Sequence, residues 1–293
     1  MNNYKIGTVV SLTIAFVACP SDVFGAKKRP RGASQAAGNA ANAQDPGGHS
    51  AAGVEAAKNR DYEKAIAEFT KAIEAEPTDP KNYFNRATAY RGANKLVEAL
   101  ADFTKAIELA PTNAGGYIGR GEVLLQQKQM DQALADFNKA LELAPNDASA
   151  RRFRGFVYIS KSEWEKAVED YSKVIQKVPD DDSAYERRGF AYRNLKKYKE
   201  AIADYSKTIS KDPKDPEGYR RRASTHTLAG DSKSAAADFR AILKIKPDDV
   251  DAQSRLKALE TRANSSPAAT SPAPGGSPAV APPAQASPAA SPR

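Results

Sequence analysis

The sequence predicts an all-α solenoid of about six 34-residue helix pairs, followed by one capping helix. Three observations carry this expectation. Pro77, Pro111, Pro145, Pro179, Pro213 and Pro247 recur every 34 residues without an insertion, and a fixed period of this size marks a repeat architecture. Small and aromatic residues recur in register with those prolines. The composition, 8% aromatic and 27% charged, spreads the apolar side chains thinly, which suits many small stacking interfaces better than one compact core.

With each proline set at position 32 of its unit, position 20 is Ala65, Ala99, Ala133, Ala167, Ala201 and Ala235. Position 24 is Phe69, Phe103, Phe137, Tyr171, Tyr205 and Phe239, and position 8 is Gly53, Ala87, Gly121, Gly155, Gly189 and Ala223. Positions 4, 8 and 11 share one face of a first helix, A, and positions 20, 24 and 27 share one face of a second, B. Small residues at 8 and 20 let the helices approach, and aromatics at 4, 11 and 24 fill the space around them. Position 34 is Asp79, Asn113, Asp147, Asp181, Asp215 and Asp249, each a good N-cap for the next helix A after the proline that stops helix B.

These columns resemble the tetratricopeptide repeat family over roughly residues 46–249. The resemblance implies antiparallel helix pairs stacked into a right-handed superhelix. It divides the chain into a degenerate first unit, 48–79, then units 80–113, 114–147, 148–181, 182–215 and 216–249, with a capping helix over 250–262. Ser50 and Ala56 replace bulky residues in the first helix A, so fraying is expected there.

Arginine fills position 7 in five units: Arg86, Arg120, Arg154, Arg188 and Arg222. At 100° per residue this column lies roughly 160° from the positions that would line a groove. An acid fills position 23 on helix B: Glu68, Asp102, Asp136, Asp170, Asp204 and Asp238. The two columns are expected to pair, within a unit or to its neighbour.

In the resembled family, ligands lie in a concave groove lined by helix A positions 2, 5, 9, 12 and 13. The resemblance therefore implies a partner-binding groove of Phe84, Ile118, Leu125, Phe156, Ile159 and Phe190, with cations from Arg152, Arg193 and Arg220 and with Arg187 and Arg221 at its edge. Aromatic residues beside arginine are typical of binding hot spots, so a protein or peptide partner with apolar and acidic segments is expected. Packing of Phe156 and Phe190 between neighbouring A helices is the competing reading. The two-carboxylate clamp that grips chaperone C-termini is not expected, because Ser50, Val54, Phe84, Thr88, Gly115 and Gly119 stand where its Lys, Asn and Arg belong.

Nothing in the repeats suggests catalysis, a cofactor or a metal. His49 and His226 are the only histidines, and His226 takes a packing position. Metal-ligand spacing, a phosphate-binding loop and a nucleophile elbow are all missing from the sequence. Asp180, Asp181 and Asp182 suit helix capping and the helix dipole. The net charge of +8 shrinks to +4 between Pro46 and Arg262, with 38 Lys and Arg against 34 Asp and Glu, so nucleic acid is not an expected partner.

Residues 1–26 read as a secretory signal. Lys5 precedes an apolar run from Ile6 to Ala18, which is shorter than the ~20 residues a membrane span needs. Cleavage after Gly25 or Ala26 competes with lipidation of Cys19, where Phe16-Val17-Ala18-Cys19 resembles a bacterial lipobox. Cys19 is the sole cysteine, so no disulfide forms within the chain. Residues 27–47, rich in Ala, Gly, Asn and Gln, are expected to be a flexible linker, and the Pro/Ala/Ser-rich tail, 263–293, to be disordered. The expected function is an exported, non-enzymatic adaptor in the periplasm or outside the cell. Alternatives are an outer-membrane lipoprotein adaptor anchored through Cys19 and an accessory subunit of an enzyme or secretion system.

Overall fold

The computed structural model describes residues 47–265. The signal, nearly all of the linker and the tail lie outside the described residues. Among the described residues there are thirteen α-helices and no strand. The A helices are α1 His49–Lys58, α3 Pro80–Gly92, α5 Ala114–Gln126, α7 Ala148–Ser160, α9 Asp182–Asn194 and α11 Pro216–Leu228. Each is followed by its B helix: α2 Tyr62–Ala75, α4 Leu96–Leu109, α6 Met130–Leu143, α8 Trp164–Lys177, α10 Tyr198–Lys211 and α12 Ser232–Ile245. The last helix is α13 Val250–Ser265. This is the all-α solenoid that the proline period predicts.

The turns repeat as faithfully as the helices. Every position-34 side chain accepts a backbone N–H from the first turn of the following helix: Asp79 from Lys81, Asn113 from Gly115, Asp147 from Ala150, Asp181 from Ala184, Asp215 from Glu217 and Asp249 from Ala252. Such caps stabilise a helix by about 1 kcal/mol each. Every helix A ends with a left-handed residue at position 15, and in five units it is not glycine: Arg60, Asn94, Lys128, Ser162 and Lys196. The next N–H closes back onto helix A, as Lys95 does on the Tyr90 carbonyl and Gln129 on that of Leu124. Only Gly230, with φ of 80°, meets this turn free of a Cβ penalty.

Helix α1 is ten residues long where the other A helices have thirteen, and its N-cap, Gly48, makes no side-chain cap hydrogen bond. Position 7 of that unit is Ala52, so the position-23 acid lacks its arginine. His49 supplies a partner instead, with Nδ1 2.6 Å from Glu68.

Each pair buries an aromatic at position 24 against a small residue at position 8. Phe69, Phe103, Phe137, Tyr171, Tyr205 and Phe239 are buried, as is the whole position-20 alanine column. A Cβ on Gly121 would stand 2.7 Å from the Phe137 ring, so the small residue sets how deeply the ring enters. The tyrosines at positions 4 and 11 are half-buried. The position-4 hydroxyl donates to the carbonyl of the preceding proline in three units: Tyr83 to Pro77, Tyr117 to Pro111 and Tyr219 to Pro213. Arg151 does the same to Pro145.

Helices adjacent in sequence pack together throughout. Successive A helices also touch, α1 with α3, α3 with α5, α5 with α7 and α7 with α9, whereas no two B helices approach to that degree. The array therefore curves with its A helices on the inner side, which gives the A face a wall and sends the B face outward.

The arginine column fixes the stack. Arg86, Arg120, Arg154, Arg188 and Arg222 each grip the position-23 aspartate of their own unit through two parallel bonds, as Arg86 does Asp102 at 2.7 and 2.9 Å. The remaining amino group reaches position 25 of the previous unit: Thr70, Thr104, Asn138, Ser172 and Ser206. One side chain thus ties three helices. Arg188→Met leaves Asp204, whose side chain is 6% exposed, without its cation. The expected loss is about 3 kcal/mol in urea unfolding, against less than about 0.5 kcal/mol for Lys173→Ala, which removes an exposed pair. Equal effects would make the staple a surface ion pair.

Candidate functional site

The inner wall is the face of α3, α5, α7, α9 and α11 opposite the staples. In its first half the apolar side chains turn inward. Phe84 meets the edge of Phe103 with ring centres 5.5 Å apart, and it lies beside Gly115 of the next helix A. Ile118 packs against the buried cluster of Ala140, Leu141 and Ala150. Leu125 is buried, so it shapes the wall from behind. Arg91 of α3 and Glu122 of α5 pair across this stretch, a link between positions 12 and 9 of successive units.

The second half is richer in charge. Phe156 is buried, at 9% exposure, and carries the Arg187 guanidinium over its ring at 5.1 Å. Phe190 is half-buried, edge-on to Trp164 at 5.8 Å, with Arg193 over its ring at 5.0 Å. Ile159 packs beside the cluster of Ala167, Tyr171 and Val174. Both phenylalanines therefore have packing partners within the repeats, and each supports an arginine.

The five arginines of the predicted groove divide into two kinds. Arg152 bonds the N-cap carboxylate Asp181 through Nε at 3.0 Å and an amino group at 2.5 Å. Arg220 bridges Glu217, Asp249 and Asp251, and Arg221 lies 3.2 Å from Glu186. Arg187 and Arg193 have no carboxylate partner among the described residues, and both remain partly exposed. They stand about 9 Å apart along α9, at 1.5 Å per residue.

Glu186 and Glu122, acids on this wall, were not among the expected groove residues. Their signal in the sequence is the opposite charge about one unit away, at Arg221 and Arg91. His226 is half-buried with Nδ1 3.4 Å from Asp231. In the Asp180–Asp182 run, Asp181 caps α9, and Lys211 bridges Asp180 and Asp182. Among the described residues no group of three His, Cys, Asp or Glu side chains could hold a metal ion. No described helix is long and apolar enough to cross a membrane.

Asp249 joins the wall to α13. Hydrogen bonds from Arg220 and from the Ala252 N–H hold its carboxyl below the ordinary aspartate range. A depressed folded value means that the seating of α13 is complete above the unfolded value of about 3.9 and is lost as pH falls through the lower folded one. Amide exchange across Val250–Ser265 is therefore expected to rise, relative to α6, below about pH 4. Asp249→Asn should exchange faster at neutral pH and lose that acid step. Unchanged protection in the variant would dissolve this link.

Sequence patterns of the tetratricopeptide repeat match residues 50–79, 80–113, 114–147 and 183–215, and a further pattern of the same repeat matches 155–196; together they span more than half of the chain. No curated protein matches it. Among solved structures, YrrB, a TPR protein with an unusual peptide-binding site, is 25% identical with a TM-score of 0.60, over 64% of this chain and 97% of its own. The C-terminal part of a TPR repeat-containing protein from Cytophaga hutchinsonii, 20% identical, has a TM-score of 0.60 over 72% and 84%. MamA from Desulfovibrio magneticus RS-1, 21% identical, has 0.55 over 58% and 97%. The chain belongs to the tetratricopeptide repeat family, whose stacked helix pairs form a right-handed scaffold for protein interaction.

Proposed function

We propose that this scaffold is exported and holds an extended or helical partner segment with apolar and acidic residues on its A-helix wall. The observation that carries the reading is the pair Arg187 and Arg193. Each guanidinium stacks on a phenylalanine with no carboxylate beside it among the described residues. A cation held over an aromatic ring is preorganised, so an incoming carboxylate meets it without displacing an internal partner. That YrrB carries a peptide-binding site supports a peptide as the bound form here.

Arg152 and Arg220 are poor test positions, since replacing them breaks the inter-repeat pairs described above. The discriminating variant is Arg187→Glu with Arg193→Glu. Peptides alternating Phe or Leu with Asp or Glu should bind the wild type at least tenfold more tightly than their Lys counterparts and weaken with salt. The double variant, with its thermal transition retained, should lose that preference. Undiminished binding of acidic peptides to a well-folded double variant would sink the reading.

Export rests on Lys5 and the apolar run Ile6–Ala18, and the proposed location is periplasmic or extracellular. Two products fit this segment: a chain cut after Gly25 or Ala26, or one lipid-modified at Cys19 and anchored in the outer membrane. N-terminal sequencing and palmitate labelling in a bacterial host, with and without Cys19→Ala, separate them. Full-length protein confined to the cytoplasm would overturn both.

A further inference from the structure

An open groove lies away from the A-helix wall, between the outer helices α4 and α6. The five staple arginines differ in how many tyrosine rings flank them. In the second and fifth units the staple arginine lies between two tyrosine rings, Arg86 with Tyr83 and Tyr90, and Arg188 with Tyr185 and Tyr192, at 5.6–5.9 Å. In the third unit position 11 is Leu124, and among the described residues Arg120 has one ring, Tyr117, at 5.9 Å; Arg154 and Arg222 also have one each, Tyr158 and Tyr219, at 5.7 Å. The side chain of Arg120 is 25% exposed, the most of the five, against 17% for Arg86, 20% for Arg154, 18% for Arg188 and 22% for Arg222.

A groove of about 360 Å³ opens at this place, lined by Leu100, Thr104, Arg120, Leu124, Gln132, Ala135 and Asp136. The fourth unit shows what fills the corresponding space. There the ring of Tyr158 lies under Arg154 at 5.7 Å and under Lys166 at 5.3 Å. The counterparts of those two cations in the third unit are Arg120 and Gln132, and both line the open groove.

The chemistry of the missing piece follows from how Arg120 is already held. Two of its nitrogens bond Asp136 at 2.7 and 2.8 Å, and a third reaches Thr104 at 3.4 Å. Its donor edges are thus engaged, and Asp136 would repel a second anion. What remains available is the guanidinium face, which attracts the electron-rich face of an aromatic ring. Leu100 and Leu124 supply apolar walls for such a ring, and Gln132 supplies an amide at its rim. We propose that this groove takes an aromatic side chain, a tyrosine above all, presented by a protein partner, and that the ring completes at Arg120 the sandwich that the second and fifth units build for themselves. The site lies apart from the wall of the proposed function and stands whether or not that wall binds acidic peptide.

The test is titration of the full chain with N-acetyltyrosinamide, followed by NMR at the Arg120 Nε–H. The saturated analogue N-acetylcyclohexylalaninamide serves as control. Saturable shifts on the order of millimolar affinity, typical of one buried ring, are expected for the tyrosine probe, with the control at least tenfold weaker. Leu124→Tyr restores the repeat's own residue and should abolish the shifts. Ala135→Leu, at an exposed position on the rim, should weaken them and serves if the first variant fails to fold. Absence of saturation, equal affinity for the saturated ring, or unaltered binding in the variants would each overturn the site.

Discussion

The arginine at position 7 is the interaction on which the rest of this structure depends. Apolar packing between helix pairs is non-directional, and alanine-lined interfaces allow neighbouring helices to slide. A guanidinium with two bonds to the carboxylate of its own unit and one bond to the previous unit removes that freedom at each junction, because its planar fork accepts only one geometry. The acids it binds are nearly inaccessible, Asp170 at 1% and Asp238 at 5%. Their burial is tolerable only while the arginine stays in place, which makes the staple a device for register more than a source of net stability.

Because the staple uses the side of helix A that faces the B helices, it leaves the opposite side free to vary. That side is not uniformly free. Arg152 and Arg220 bond the caps Asp181 and Asp249 and so belong to the stack, while Arg91 is neutralised by Glu122. Counting arginines on the inner wall overstates its positive character. Among the described residues the predicted groove arginines without a carboxylate partner are Arg187 and Arg193, both on α9 and both over phenylalanine.

The architecture was legible because its determinants are local and repeated six times. Pro77 and its successors end the B helices, Asp79 and its successors start the A helices, and the alanine and aromatic columns set the packing. The pairing of positions 7 and 23 was legible for the same reason. What the columns conceal is a side chain's second commitment. The position-25 acceptors Thr70, Thr104, Asn138, Ser172 and Ser206 vary in chemistry and share only a hydrogen-bonding capacity, so they form no visible column. Arg152 reads as a groove cation because its partner, Asp181, is 29 residues away and already has a role as a cap. Phe156 and Phe190 read as wall residues and prove to be supports for the arginines above them.

In a one-dimensional stack each unit answers only to its neighbours, so a substitution in one column has no need of compensation at a distance. A departure from the column then means one of two things. Where a local replacement restores the lost contact, as His49 does for Glu68 and Arg151 does at the Pro145 carbonyl, the departure is structural drift. Where no replacement appears and a groove remains, as at Leu124 beside Arg120, the cation keeps the ring at position 4 and lacks one at position 11. The second kind is the better place to look for recognition in such an array. The fold itself supplies an internal standard, the filled sites at Tyr90, Tyr158 and Tyr192, for what the open one lacks.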